Sequence, residues 1–345
     1  MSRRLILLAA TMLMALIIGP VAQACGFLVA ENGAVRLGKT TTFVAWEDGV
    51  EHYITNFTFE GDVESFGSII PLPAEPTSVT KAGAWTLQRL GREVNPPPPA
   101  EFFLAAVGDS SEVEVILETK IDSLDVVVLK GGGADVLDWV NSNGFDLPPG
   151  PSTEHLLEYY SSRSPYFLAA RFDFEAAAED EFVSGDGIPV QIEMPTERPW
   201  VPLHILHGAS PDSAIINADI YVLTPVQPSF LHGTGLTLEH SDVASPQLLA
   251  DLRSDENMEW VPDSGWLSYL VLATDADNLV YDLSIGVGDT APSLVDAGFA
   301  RFEPSDGQLE ALGLQRTNSN VPDVVAAMAL LLLAAGAGAV AWRLR

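Results

Sequence analysis

The sequence predicts an α+β fold: a mostly antiparallel β exterior domain with a few short helices, followed by one C-terminal transmembrane helix. Two observations predict the domain. Runs of alternating apolar and polar residues bounded by Gly, Pro, Asn and Asp recur without a βαβ period, and helical spacing is confined to a few short stretches. A third observation predicts the anchor: residues 324–342 form a 19-residue run without a charge, ended by Arg343-Leu344-Arg345. At about 1.5 Å of rise per residue this run spans roughly 28 Å, close to the thickness of a bilayer's hydrocarbon core.

At the N-terminus, Arg3 and Arg4 precede the apolar residues 5–18, and Ala22-Gln23-Ala24 offers small residues to an export peptidase, so residues 1–24 read as a signal peptide. Ser2-Arg3-Arg4 also fits a twin-arginine signal, whereas the strongly apolar segment directly behind it suits the general secretory route. Cys25 stands immediately after the cut, where a bacterial lipoprotein is acylated. Ala22 stands where the usual lipobox has Leu, and a lipid would be largely redundant with a C-terminal helix.

The exterior domain then unfolds in order. Residues 41–59 alternate as two strands around Asp48-Gly49, a favoured two-residue hairpin turn. Ser68-Ile69-Ile70-Pro71-Leu72-Pro73 reads as a short strand ending at an edge or in a loop, because proline cannot donate to a ladder. Residues 82–90 read as a helix ended by Gly91, and Pro96 to Pro99 as a rigid loop or a spacer between subdomains. Residues 113–118 and 124–129 are β-rich. Residues 134–142 place Val136, Leu137 and Val140 on one helical face, with Gly144 as cap, and residues 153–162 form a second helix before a strand at 166–174. Later strands fall at 189–194, 202–207, 214–224 and 266–273, with 278–285 returning after a turn. Ser245-Pro246 opens a helix running to Leu252, with Ser as cap and Pro at the first helical position. Residues 304–322 are polar and suit a stalk, so the divisions are a signal at 1–24, a domain at 25–303, a stalk at 304–322, an anchor at 323–342 and a tail at 343–345.

Charge narrows the function classes. The 345 residues hold 17 Lys+Arg against 47 Asp+Glu, a formal charge of -30. Nucleic-acid binding rests on cationic neutralisation of phosphates, so no nucleic-acid partner is expected. Such acidity suits a salty or cation-rich exterior, where screening limits self-repulsion. The single cysteine cannot close an intramolecular disulfide, so the domain must rest on its packed core.

No familiar catalytic motif is present. His204 and His207, read on a strand, point to opposite faces and so make a poor ligand pair; His52, His155, His232 and His240 belong to no recognised hydrolase or zinc pattern. Lys130-Gly131-Gly132-Gly133 opens a helix as an anion loop would, but its Lys precedes the glycines, and a flexible turn explains it. Asp275, Asp277 and Asn278 gather oxygens in an expected hairpin loop, which makes calcium the candidate ion there, although turn chemistry alone accounts for them. Glu179-Asp180-Glu181 and Gly185-Asp186-Gly187 read as solvated loop. No other cofactor is expected.

Several stretches together carry a family resemblance: Cys25-Gly26-Phe27, the hairpin from Phe43 to Phe59, Ile69-Ile70-Pro71-Leu72-Pro73, Asp138-Trp139-Val140-Asn141-Ser142-Asn143-Gly144-Phe145 with Leu147-Pro148, and Pro199-Trp200-Val201-Pro202-Leu203. In that order they resemble the domain of unknown function 2330 family of exported bacterial proteins. The resemblance implies an exported or membrane-anchored domain and supplies no catalytic residues. It also implies that, if the family's Cys-Gly start forms a disulfide, the role is lost here, leaving Cys25 free, lipidated or intermolecular.

These readings converge on a noncatalytic binding or structural module of the bacterial envelope. Its alternative is an envelope hydrolase assembled from scattered histidines and acids. Asp323 before the apolar run and Arg343 and Arg345 after it orient the anchor with the domain outside and the tail in the cytoplasm. Ala334, Ala335, Gly336, Gly338 and Ala339 offer a small-residue face to a partner helix. The expected partners are the lipid bilayer and an envelope protein or polymer.

Overall fold

The turn at Asp48-Gly49 fixes the middle of the fold. Both residues take positive φ, 51° and 85°, the conformation a two-residue hairpin turn requires. The computed structural model describes residues 27–30, 36–60, 65–95, 119–121, 124–143, 151–173, 189–208 and 215–301. The elements are β1 (Phe27–Ala30), β2 (Arg36–Glu47), β3 (Val50–Glu60), β4 (Ser65–Leu72), β5 (Ser78–Lys81), α1 (Ala84–Val94), β6 (Thr119–Ile121), β7 (Leu124–Lys130), α2 (Gly133–Ser142), α3 (Pro151–Ser161) and β8 (Tyr166–Asp173). They continue with β9 (Val190–Pro195), β10 (Trp200–Val201), α4 (Ile205–Gly208), β11 (Ile215–Thr224), β12 (Ser229–Leu231), β13 (Leu236–Val243), α5 (Pro246–Arg253), β14 (Trp266–Asp275) and β15 (Leu283–Gly286).

Among the described residues these strands form three sheets, ordered β13-β14-β11-β2-β3-β9-β5, β1-β4-β8-β7-β6 and β10-β15-β12. All pairings are antiparallel except β11 with β2, where Ala218 lies beside Thr40. The expected mixed, mostly antiparallel α+β architecture with few helices is what the structure shows.

The seven-stranded sheet is buried on both faces, and the two-residue period of its strands sorts side chains between two cores. Val44, Tyr53, Ile192, Ile220, Val222, Leu270 and Leu272 point into the larger core, which also takes Ile69, Ile70 and Leu168 of the five-stranded sheet and Val136, Val140, Leu156 and Tyr160 of α2 and α3. Their sequence neighbours Phe43, Ala45, Ile54, Tyr221, Leu223 and Tyr269 point the other way, against Leu87 and Leu90 of α1 and Leu248, Leu249 and Leu252 of α5. Each fully buried Leu, Ile or Phe contributes about 1.5–3 kcal/mol, and this burial is what closes the sheet between its two layers.

Four expectations change. The first helix does not stop at Gly91 but runs to Val94, because Gly91 keeps helical backbone and the cap is Asn95, whose N–H reaches the Gly91 carbonyl at 3.0 Å. Residues 202–207 are not a strand: β10 ends at Val201, and the chain turns into α4 because buried Asp282 takes the N–H groups of Leu203 and His204. Residues 278–285 do not return beside β14. A 3₁₀ turn over Ala276–Asn278 redirects the chain so that β15 pairs with β10 and β12. Gly133 opens α2, but its N–H goes to Ser161 Oγ at 3.0 Å, and a Cβ there would strike the backbone of Leu157 and Glu158. That glycine therefore serves close packing of α2 on α3.

Pro71 does lie where its missing N–H costs nothing, since β1 covers β4 only as far as Ile69. Ser245 caps α5 as expected, accepting from the Leu248 N–H at 3.1 Å. The signal segment, Cys25, Pro96 to Pro99, the 113–118 run, Gly144, the 179–181 and 185–187 loops, the stalk and the anchor lie outside the described residues.

Candidate cleft between β4, α3 and the β9–β10 turn

Four segments meet around a cleft of about 490 Å³. Pro71, Leu72 and Pro73 come from the end of β4; Tyr160, Arg163 and Ser164 from the C-terminal turn of α3; Pro195 to Arg198 and Trp200 from the β9–β10 connection; Ser293, Val295 and Asp296 from the loop after β15. Each segment arrives for a local reason: prolines end β4 and β9, and α3 stops where the Ser164 N–H closes on the Tyr160 carbonyl at 2.9 Å.

The connection is pinned from below. The Trp200 N–H donates to Glu51 Oε1 at 3.3 Å, Trp200 Nε1 to the Asp296 carbonyl at 3.0 Å, and Trp46 Nε1 to the Thr196 carbonyl at 3.1 Å. Glu51 is fully buried in β3. Burial raises its pKa to about 8, against the opposing pull of the Trp200 N–H and the nearby Thr196 hydroxyl, so the carboxyl is largely protonated at neutral pH. Glu51 Oε2, Thr196 Oγ1 and Ser164 Oγ are all buried without a partner in bonding geometry among the described residues. Such groups ordinarily find partners, and two of these three, Ser164 and Thr196, belong to residues that line the cleft.

The two arginines differ. Arg198 is engaged by carboxylates, with Nε 3.6 Å from Asp296 Oδ2 and Nη2 3.4 Å from Glu197 Oε2. Arg163 instead donates Nη1 to the Tyr159 carbonyl at 2.8 Å and Nε to the Val295 carbonyl at 3.4 Å, and lies 3.6 Å over the Tyr159 ring.

Beneath the cleft sits Asp282, also fully buried. Its Oδ1 accepts from Tyr160 Oη at 2.7 Å and from the N–H groups of Leu203 and His204 at 2.9 Å each; its Oδ2 accepts from Tyr159 Oη at 3.3 Å. Burial lifts its pKa to about 7 despite these donors. Sequence reasoning missed Asp282 because it stands alone among apolar residues, and Glu51 because it follows Glu47 and Asp48 as one more acid beside a turn; neither pattern carries a local motif.

The histidines do not gather in the cleft. His204 packs edge-on to Tyr159 at 4.6 Å and lies 6.0 Å from His207; its Nδ1 has no partner among the described residues, and burial lowers its pKa to about 4. His207 bonds the Ala276 carbonyl, His232 the Gly233 carbonyl, and His52 stacks on Trp260 at 3.7 Å on another side of the molecule. Asp275, Asp277 and Asn278 lie at the end of β14 and in the 3₁₀ turn, with the Asn278 amide donating to Thr274 Oγ1 at 3.3 Å. Among the described residues no three His, Cys, Asp or Glu side chains group closely enough to hold a metal ion, and no helix is long and apolar enough to cross a membrane.

Comparison with solved structures returns baculovirus P35 at 10% identity, covering 72% of this chain and 93% of that one with a TM-score of 0.35. A mutated baculovirus P35 after caspase cleavage follows at 10% identity, 71% and 95% coverage and a TM-score of 0.34. Likeness at this level does not establish a common fold. No curated protein matches the chain. A family model described as "uncharacterized protein conserved in bacteria (DUF2330)" matches residues 19–227, a span that supplies three of the four cleft segments and stops short of Asp282 and the loop after β15. The chain belongs to this bacterial family, as the motifs from Cys25 to Leu203 led us to expect.

Proposed function

We propose that the protein is an outward-facing module of the bacterial cell envelope, held by its C-terminal apolar helix, that binds a ligand in the cleft without chemical turnover. The observation that carries this reading is the cleft itself. Its lining includes Arg163, which among the described residues has no carboxylate within ion-pair distance, and the hydroxyl-bearing Ser164 and Thr196, while the histidines sit elsewhere. Its volume falls in the range of about 300–1,000 Å³ usual for ligand sites. Two of its walls, at Pro71 to Pro73 and at Trp200, are built from the stretches that carry the family resemblance.

The test uses full-length protein, wild type and Ser164→Trp, the latter filling the cleft. Purified envelope polymers and short peptides are equilibrated with each, and bound material is analysed by mass spectrometry. Wild type should return ligand intact and the variant none. Recovery of cleaved ligand would overturn the noncatalytic reading, and equal recovery from the variant would remove the cleft as the site. For topology, Glu154→Cys in a Cys25→Ala background should react with a membrane-impermeant maleimide on intact cells. Reaction only after lysis would refute the outward orientation.

A further inference from the structure

We propose that the cleft captures the carboxylate end of a peptide, with Arg163 taking the carboxylate; this rests on the binding role given to the cleft above and names its ligand class. Of the two cleft arginines, Arg198 is held by Asp296 and Glu197, whereas Arg163 is braced by carbonyls and an aromatic ring. Among the described residues Arg163 has no carboxylate within ion-pair distance, although its charge reaches the buried Asp282, and its Nη2 makes no hydrogen bond, while Nε, Nη1 and the guanidinium face are fixed by Val295, Tyr159 and the Tyr159 ring. A guanidinium braced on three sides with its outer nitrogen unsatisfied has already lost its rotamer freedom. It is preorganised for an incoming oxygen anion.

The remainder of the site fits a peptide better than a sugar acid. Ser164 and Thr196 line the cleft with their hydroxyls just beneath its surface; each can donate and accept, which suits the alternating N–H and C=O groups of a peptide, and the Thr196 hydroxyl lies beside Glu51. Pro73 and Pro195, both at least partly exposed, offer apolar contact to a side chain. A sugar ring would need an open aromatic face to lie on, and Trp200 and Tyr160 are only 7% and 2% exposed. The size of the cleft admits the last few residues of a chain, and end capture of this kind is an established mode of peptide recognition.

Full-length protein in detergent is titrated by calorimetry with N-acetyl-Ala-Ala, N-acetyl-Ala-Leu and N-acetyl-Ala-Phe, with the C-terminal amide of each, and with glucuronate. At least one acid should bind about tenfold or more tighter than its amide, the range expected for a charge-assisted bond. Arg163→Gln should bring that ratio to about one, and Arg163→Lys should retain part of it; a ratio is insensitive to a partly unfolded fraction of either variant. Ser164→Trp should abolish binding of acid and amide alike. Equal binding of acid and amide, both lost in Ser164→Trp, would overturn the carboxylate assignment and leave the cleft as a binding site. Glucuronate binding in the absence of peptide binding would overturn the peptide class. Peptide binding untouched by Ser164→Trp would overturn both the assignment and the cleft, and silence from every probe would overturn the assignment.

Discussion

Tyr160 donates its hydroxyl to Asp282 at 2.7 Å, tying the end of α3 to the residue just before β15. Both side chains are buried, so the bond cannot be replaced by water. Tyr160→Phe removes a bond to a buried carboxyl while changing shape little, and is expected to cost about 1.5–3 kcal/mol in urea unfolding. A loss below about 0.5 kcal/mol would show that the two backbone donors satisfy Asp282 alone.

Glu51 makes stability fall with rising pH. Its folded pKa of about 8 lies above the ordinary 4.5, so the folded state keeps a proton that the unfolded state releases. The contribution is full below about 4.5 and is lost through about 8. Glu51→Gln is expected to be more stable than wild type at pH 8.5 by on the order of 1–4 kcal/mol and to lose most of this slope. His52 and His204, both held near 4 by burial, act in the opposite sense, removing stability as pH falls from 6.5 to about 4. They are common to both proteins, so the difference between the two unfolding curves isolates Glu51.

Gly298 has φ of +79°, and a Cβ there would collide with Tyr159 Oη. Gly298→Ala therefore adds backbone strain and pushes Tyr159 from Asp282. We expect a loss of about 1–3 kcal/mol, read as a lowered melting temperature, with the near-ultraviolet tyrosine signal altered at temperatures where the protein is still folded.

Two helix starts separate what could be read from what could not. At α5 the cap is local, Ser245 before Pro246, and Ser245→Ala is expected to cost about 1 kcal/mol. At α1 the cap position is Gly83 and offers no side chain; Asp255 supplies the carboxylate instead, accepting from both the N–H and the Oγ1 of Thr86 at 2.7 Å. Asp255→Ala should cost about 1–2 kcal/mol and loosen α1 selectively, seen as faster amide exchange at Thr86 and Leu87.

The same division runs through the molecule. Asp48-Gly49 was legible because the turn's demand for positive φ is met by those two residues and depends on nothing distant. His204 and His207 were misplaced because the segment's apolar residues suit a strand, and what bends it is Asp282. The cleft had no signature of its own. Its walls at Pro71 to Pro73 and Trp200 lay in stretches that stood out, but Arg163, Ser164 and Thr196 look ordinary until four segments converge on them. Local chemistry is written in neighbouring letters, whereas a site assembled across sheets depends on packing that no short window contains.

The parallel junction of β2 and β11, with Thr40 beside Ala218, has a consequence for how the protein is made. The β2–β3 hairpin is local in sequence, whereas its flank on β2 is covered only by β11, which leaves the ribosome long afterwards. Pairings so distant in sequence are slow to close. The sheet's centre therefore waits on a strand that lies far along the chain, and the hairpin alone cannot lock the fold.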